Sequence, residues 1–298
     1  MTNVYNLSVD KFRSWLTCLV KVEPEEFWAL LWSFSYFFVL LCSYYIVRPL
    51  RDEMGIAGGI ENLQWLFTGT FIAMVVAVPL FGWVSSRYSR QRFLPLVYLF
   101  FIVNLLAFYF MFRSGLTHAW VARAFFIWTS VFNLFIVSVF WSFMADLFND
   151  DQAKRLFGFV AAGGTAGALT GPIITAGLAT PLGATNLLLI SAAGLAWAVL
   201  CIYRLSAWSE KRTIPSTAPS TFDRESIAEK DIALGGKSLA GLQMIVRSPY
   251  LLGICMLILL YTTLSTFLYF QQAQIIRDSF SDPAQRTTVF AAMDFATN

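Results

Sequence analysis

The sequence predicts an all-α membrane protein: a six-helix transmembrane bundle, a polar linker and the start of a second helical bundle. Three observations carry this prediction. Of 298 residues, 57% are hydrophobic and only 13% charged, whereas soluble domains hold about 25% charged residues. The apolar residues fall in runs of roughly 20, the length a helix needs to cross ~30 Å of hydrocarbon. One long polar segment separates six such runs from the remainder.

The elements follow in order. Residues 1–26 read as a cytoplasmic N-terminus. The first run opens at Phe27, after the acidic stretch Glu23-Pro24-Glu25-Glu26, and no small-residue cleavage site follows it, so it reads as a retained span. The predicted spans are Phe27–Val47, Leu63–Val84, Phe93–Phe112, Val121–Met144, Phe157–Leu178 and Thr185–Tyr203, which make up an N-terminal bundle over 27–204. Leu205–Ser248 is the linker, with Pro215 and Pro219 set among Ser and Thr, and Ser238–Arg247 is patterned as a short amphipathic helix. A seventh span, Tyr250–Phe270, begins the second bundle over 249–298, and an eighth opens near Thr288. The run from Thr288 to Asn298 covers only ~16 Å as helix, so the expectation is a chain cut inside that span.

Basic residues set the orientation. With the N-terminus inside, 15 of the 21 Lys and Arg lie on the cytoplasmic side. The net charge of +3 therefore reports topology, and no nucleic-acid partner is expected. Cys18, Cys42, Cys201 and Cys255 stand at no metal or redox spacing, and His118 has no ligand neighbour in sequence. Neither metal nor cofactor is expected, and no Ser/His/Asp set, HExxH or P-loop marks an enzyme.

The second and fifth spans carry matching punctuation, Pro79 with Gly82 and Gly171 with Pro172. Interrupted helices at corresponding places of two repeats point to a transport site. Between the second and third spans lies Gly82-Trp83-Val84-Ser85-Ser86-Arg87-Tyr88-Ser89-Arg90-Gln91-Arg92. This segment resembles the cytoplasmic loop signature of the major facilitator superfamily in the spacing of Gly82, Arg87, Arg90 and Arg92, with Ser86 and Ser89 replacing its usual Asp and Gly. The fifth span, with Gly158, Gly167, Gly171 and Pro172, resembles that superfamily's fifth-helix antiporter signature, although Thr175-Ala176 replaces the closing glycine pair. Ordinary small-residue helix packing is the competing reading. The resemblance implies two bundles rocking about a midplane site. The basic loop and Asp146, with Arg155 on the same side, would then form a cytoplasmic latch. The competing reading of the loop is that its arginines only anchor it at the inner surface.

The end of the first span reads Ser43-Tyr44-Tyr45-Ile46-Val47-Arg48-Pro49-Leu50-Arg51-Asp52-Glu53-Met54-Gly55. Over about ten residues this resembles the first-helix end of the ATP/ADP antiporter family of intracellular bacteria and plastids. That resemblance implies a bacterial inner-membrane transporter, monomeric when complete, moving an organic anion or exchanging nucleotides. Arginine's planar fork suits phosphate and carboxylate oxygens, so Arg48 and Arg51 are candidate anion ligands, with Tyr44 and Tyr45 placed to stack on a ring. Both arginines could instead snorkel to the outer interface and pair with Asp52 or Glu53. Arg123 and Asn133 in the fourth span are further candidates, each with a plain structural alternative. Asp294, inside the eighth span, is functional by default. Transport of another small solute (drug, sugar or metabolite) and a non-transporting receptor or scaffold are the alternative functions.

Overall fold

A computed structural model describes residues 22–23, 25–87, 90–115, 119–212 and 248–298, with side chains assigned outside 81–92 and 211–212. Eight α-helices and two short 3-10 turns, Ile60–Asn62 and Ala184–Asn186, are present among these residues, and no strand: α1 Phe27–Ala57, α2 Leu63–Arg87, α3 Arg90–Arg113, α4 Ala119–Leu147, α5 Asp150–Leu182, α6 Leu187–Arg212, α7 Pro249–Ser279 and α8 Pro283–Thr297. Seven are long and apolar enough to cross a membrane, α8 being the exception. Six of the seven predicted runs lie within one of them, and the sixth, Thr185–Tyr203, begins in the 3-10 turn Ala184–Asn186 just before α6. The protein is a multi-pass integral membrane protein.

The helices outrun the apolar segments that predicted them. α1 continues ten residues past Val47, so Arg48, Arg51, Asp52 and Glu53 sit on helix. Its C-terminal half alternates charge with large apolar residues, and each charge finds a partner or a ring. α6 runs to Arg212, which corrects the linker's start: 205–212 is helix. The predicted amphipathic helix Ser238–Arg247, along with Cys18 and His118, lies outside the described residues. α8 starts at Pro283 rather than Thr288, because Asp282 caps it through Ala284 and Gln285 and proline occupies the first turn.

Proline does not interrupt the second and fifth helices. Pro79 and Pro172 lie inside continuous α2 and α5, and α1 and α3 carry Pro49 and Pro95 in the same way. Proline removes one ladder bond; neighbouring helices support the remainder.

The described residues up to Lys211, together with Ile276–Asn298, form one compact unit, and Arg212–Ile275 forms a second. Within the first, α1 is the central helix, flanked by α4, α5 and α8. Its aromatic face is dry: Phe37 stacks on Phe140 at 4.1 Å, and the buried Tyr36 hydroxyl donates to Tyr98 on α3 at 2.5 Å. The Tyr98 hydroxyl also lies 3.4 Å from the Ile136 carbonyl of α4. Three helices thus share one buried polar node. Two α1 carbonyls also accept from neighbours, Ser43 from the Ser191 hydroxyl at 3.0 Å and Ile46 from Thr175 at 3.2 Å. In the second unit, α7 exposes Leu257, Leu260 and Leu264 along its length, a surface suited to an apolar surrounding.

A glycine row on α5 sets its distance from α1. A Cβ on Gly167 would collide with the Phe38 carbonyl, and one on Gly171 would stand 2.7 Å from Tyr45 Cβ and 2.8 Å from the Cys42 carbonyl oxygen. Gly163 meets the Phe34 carbonyl in the same way. Gly158, the first glycine of the motif, faces open space. The packing work of the motif therefore begins at Gly163.

Candidate functional site: a charged seam between α1 and α8

The C-terminal half of α1 places Tyr45, Arg48 and Asp52 one helical turn apart, with Arg51 and Glu53 beside them. α8 faces this stretch with Arg286, Asp294 and Asn298. The Arg286 guanidinium grips Glu53 with two bonds of 2.7 Å each. Arg48 lies 3.3 Å from Asp294, and the Tyr45 hydroxyl donates to Asn298 at 3.0 Å. Moving back along α1 from 53 to 48 to 45, the partners advance from 286 to 294 to 298. The two helices therefore meet antiparallel, with about 12 Å of α1 lined by cross-helix polar contacts.

Burial differs along the seam. The Glu53 side chain is 1% exposed and that of its partner Arg286 13%, whereas the Arg48 side chain keeps 31% of its surface open. The Arg48 guanidinium also lies 5.4 Å from the Tyr45 ring centre. Arg51 pairs with its neighbour Asp52 at 3.2 Å and sits 4.1 Å over the Phe126 ring. Three arginines face three carboxylates, so the seam is charge-balanced. Two buried atoms of the seam itself have no hydrogen-bond partner, Arg51 Nε and Asp294 Oδ2. An unpaired donor and acceptor in a dry setting favour a conformation or solute that satisfies them. A cavity of about 440 Å³ adjoins the closed end, bordered by Glu53, Met54, Thr185, Asp282 and Arg286.

The other predicted residues are placed elsewhere. Tyr44 is buried against Phe132 and edge-on to Tyr45. Arg123 donates from Nε to the Gly58 carbonyl at 2.8 Å and lies over Trp120, holding the turn that leaves α1. Asn133 is half-buried in α4. Gly82 and Arg87 lie on the last turns of α2, and Arg90 and Arg92 on the first turn of α3, their side chains outside the described residues. Asp146 is exposed near the end of α4. Sequence reasoning missed the Glu53–Arg286 pair. The Asp282-Pro283 helix start was the available signal, since it places Arg286 on a helix rather than in a loop.

Arg155 joins a second cluster, at the opposite end of α1. Asn149 and Gln152 form a capping box at the start of α5. The Gln152 amide also donates to the Glu26 carboxylate at 2.6 Å, and Arg155 reaches the same oxygen at 3.1 Å. The Trp208 indole of α6 donates to the Glu25 carbonyl at 3.1 Å. Burial pushes the Glu26 carboxyl up, but the Gln152 amide, the Glu23 backbone amide and Arg155 together hold it below its ordinary value. A depressed carboxylate contributes its full stabilisation above the unfolded-state pKa and loses it as pH falls through the folded one. The thermal midpoint in detergent should therefore drop on acidification below about pH 4.3. Glu26→Gln should flatten that part of the profile; an unchanged slope would remove Glu26 from the acid response.

The comparison with known families now bears on this geometry. The model of the Major Facilitator Superfamily matches residues 27–281, from the start of α1 to just before α8. The chain belongs to the major facilitator superfamily. No curated protein and no solved structure matches the chain. As a facilitator it is a secondary transporter of a small solute, and the helical bundle around α1 is the scaffold on which that transport is built.

Proposed function

We propose that this facilitator carries an organic anion, exchanging nucleotides such as ATP and ADP in the most specific form of the reading, with its N-terminus in the cytoplasm. The observation that supports it is Arg48. It is the most open cation of the α1–α8 seam, it lies near an aromatic ring, and it is held by a single carboxylate contact. An anion arriving at Arg48 and Arg51 would compete with Asp294 and Asp52 and free α8 from α1. The ten-residue resemblance of the α1 end to the ATP/ADP antiporters points the same way. On the cytoplasmic side, the Arg87–Arg92 segment and Asp146 act as the second latch of the cycle.

The charge balance of the seam favours a second reading. With every arginine already facing a carboxylate, the seam works as an outer gate and the solute is a neutral or zwitterionic metabolite bound elsewhere. Counterflow in liposomes separates the two. Labelled ADP should exchange against internal ATP, and Arg48→Gln should cut that exchange at least tenfold while the protein still elutes as a folded species. Exchange of neutral solutes alone, untouched by excess ADP, would discard the anion reading and keep the gate.

A further inference from the structure

The two ends of the α1–α8 seam are built differently. At one end Arg286 donates to both oxygens of Glu53 at 2.7 Å. At the other, Arg48 reaches one oxygen of Asp294 at 3.3 Å, while the second, Oδ2, is buried with no hydrogen-bond partner. A proton arriving at Glu53 would have to displace one of two charge-assisted bonds. A proton arriving at Asp294 Oδ2 displaces none, and it removes the charge that holds Arg48.

The two helices also differ in what their charges can fall back on. Arg48 has Asp52 one turn along its own helix and within electrostatic reach. Arg51, Asp52 and Glu53 complete a set of four α1 charges that sums to zero. Asp294 has no such reserve. Arg286 lies eight residues back along α8, about 12 Å of rise, and is committed to Glu53. The charged groups facing Asp294 are Arg48, Arg51 and Asp52 of α1, with Tyr44 and Tyr45 beside Arg48. α5 and the turn Ala184–Asn186 also pack on α8, and neither that turn nor the stretch Leu156–Leu182 of α5 carries an ionisable side chain. Arg48 and Arg51 are therefore the cations that keep Asp294 ionised.

We propose that the seam is a hinge with a proton-operated catch: Glu53–Arg286 is the fixed end about which α8 pivots, and protonation of Asp294 releases the end carrying Asp294 and Asn298. The proton goes onto Oδ2, the Arg48–Asp294 contact breaks, and Arg48 passes to Asp52. Acid opens the catch and alkali closes it. From Arg286 to Thr297 the lever is about 16 Å long, so a tilt of about 20° moves its far end by roughly 5 Å. The proposal rests on the seam being a gate and is indifferent to which solute passes it.

Electron paramagnetic resonance distances between paired spin labels test this, in the full chain with its four cysteines changed to alanine. One pair joins Ala119→Cys to Thr297→Cys at the releasable end, and a second joins Ala119→Cys to Gln285→Cys near the fixed end. All three positions are exposed, and thermal unfolding checks that each variant is folded. Between about pH 8 and about pH 4 the first distance should lengthen by several ångströms and the second should stay constant. Asp294→Asn should show the long distance throughout. Two distances that lengthen together overturn the hinge, because α8 then leaves as one piece. A pH step that survives Asp294→Asn places the proton elsewhere and overturns the catch. Distances fixed at every pH also overturn the catch. In that last case, Glu53→Gln with Arg286→Met separates the two ideas: lengthening in that variant keeps the gate, and none discards the gate as well.

Discussion

Gly167→Ala should destabilise the bundle by about 3 kcal/mol, whereas Gly158→Ala, nine residues earlier on the same helix, should cost nothing. The added methyl group is the same in both. At Gly158 it enters open space, and alanine is the better helix former by roughly 0.5–1 kcal/mol, so the variant should be neutral or slightly stabilised. At Gly167 the methyl meets the Phe38 carbonyl and the Cys42 amide nitrogen. Both are α1 backbone atoms, which no rotamer change can move aside. Overpacking a tight contact costs about 1–3 kcal/mol, and relief here requires α5 to withdraw from α1 along its length. That withdrawal would also stretch the bond from Thr175 to the Ile46 carbonyl. Thermal unfolding in detergent, read by size-exclusion recovery, checks the pair of variants. Equal midpoints would mean that the two helices are not in backbone contact.

Removing Arg286 should cost more than removing both members of its pair. Glu53 is buried and takes two charge-assisted bonds from Arg286. With Arg286→Met alone, its carboxylate would stay in a dry site opposite no cation, a change worth about 3–5 kcal/mol. Glu53→Gln combined with Arg286→Met leaves no buried charge, and should recover at least half of that loss. A double-mutant cycle on the thermal midpoint measures the coupling. Additive losses would show that the two side chains do not depend on each other. In transport assays the double variant should open the α1–α8 seam more readily, since α8 would then be tied to α1 mainly through Arg48 and Tyr45.

Much of the bundle was legible in the sequence because the bilayer enforces it. A run such as Phe93–Phe112 can satisfy its backbone in hydrocarbon only as a helix, and its ends are found from hydropathy alone. The helix ends were less legible. Arg48, Asp52 and Glu53 break the apolar run, so hydropathy ends the first span at Val47 although the helix continues to Ala57. Asp52 is answered by its neighbour Arg51, but Arg48 and Glu53 are answered by Asp294 and Arg286 of α8, more than 230 residues away in sequence, a pairing that no local pattern encodes. The prolines misled for a related reason: Pro79 and Pro172 look like breaks in isolation but are carried by continuous helices. The glycines of α5 were legible as a packing motif by spacing, while which of them touch α1 depended on the crossing point. Sequence could nominate Arg48 and Arg51 as ligands by their chemistry, and Tyr45 by its ring. It had no means of showing that Asp294 stands opposite Arg48.

The separation of Glu53 from Arg286, 233 residues along the chain, has a consequence for biogenesis. α1 leaves the ribosome first, carrying a carboxylate whose partner has yet to be translated. At about 5–20 residues per second the wait is on the order of 10–50 s. During that interval the C-terminal end of α1 must remain hydrated at the membrane surface or be sheltered by the insertion machinery. The later-made helix then settles the earlier one, and a ribosome stalled before codon 286 would leave a nascent chain with an acidic helix end that quality-control proteases can recognise.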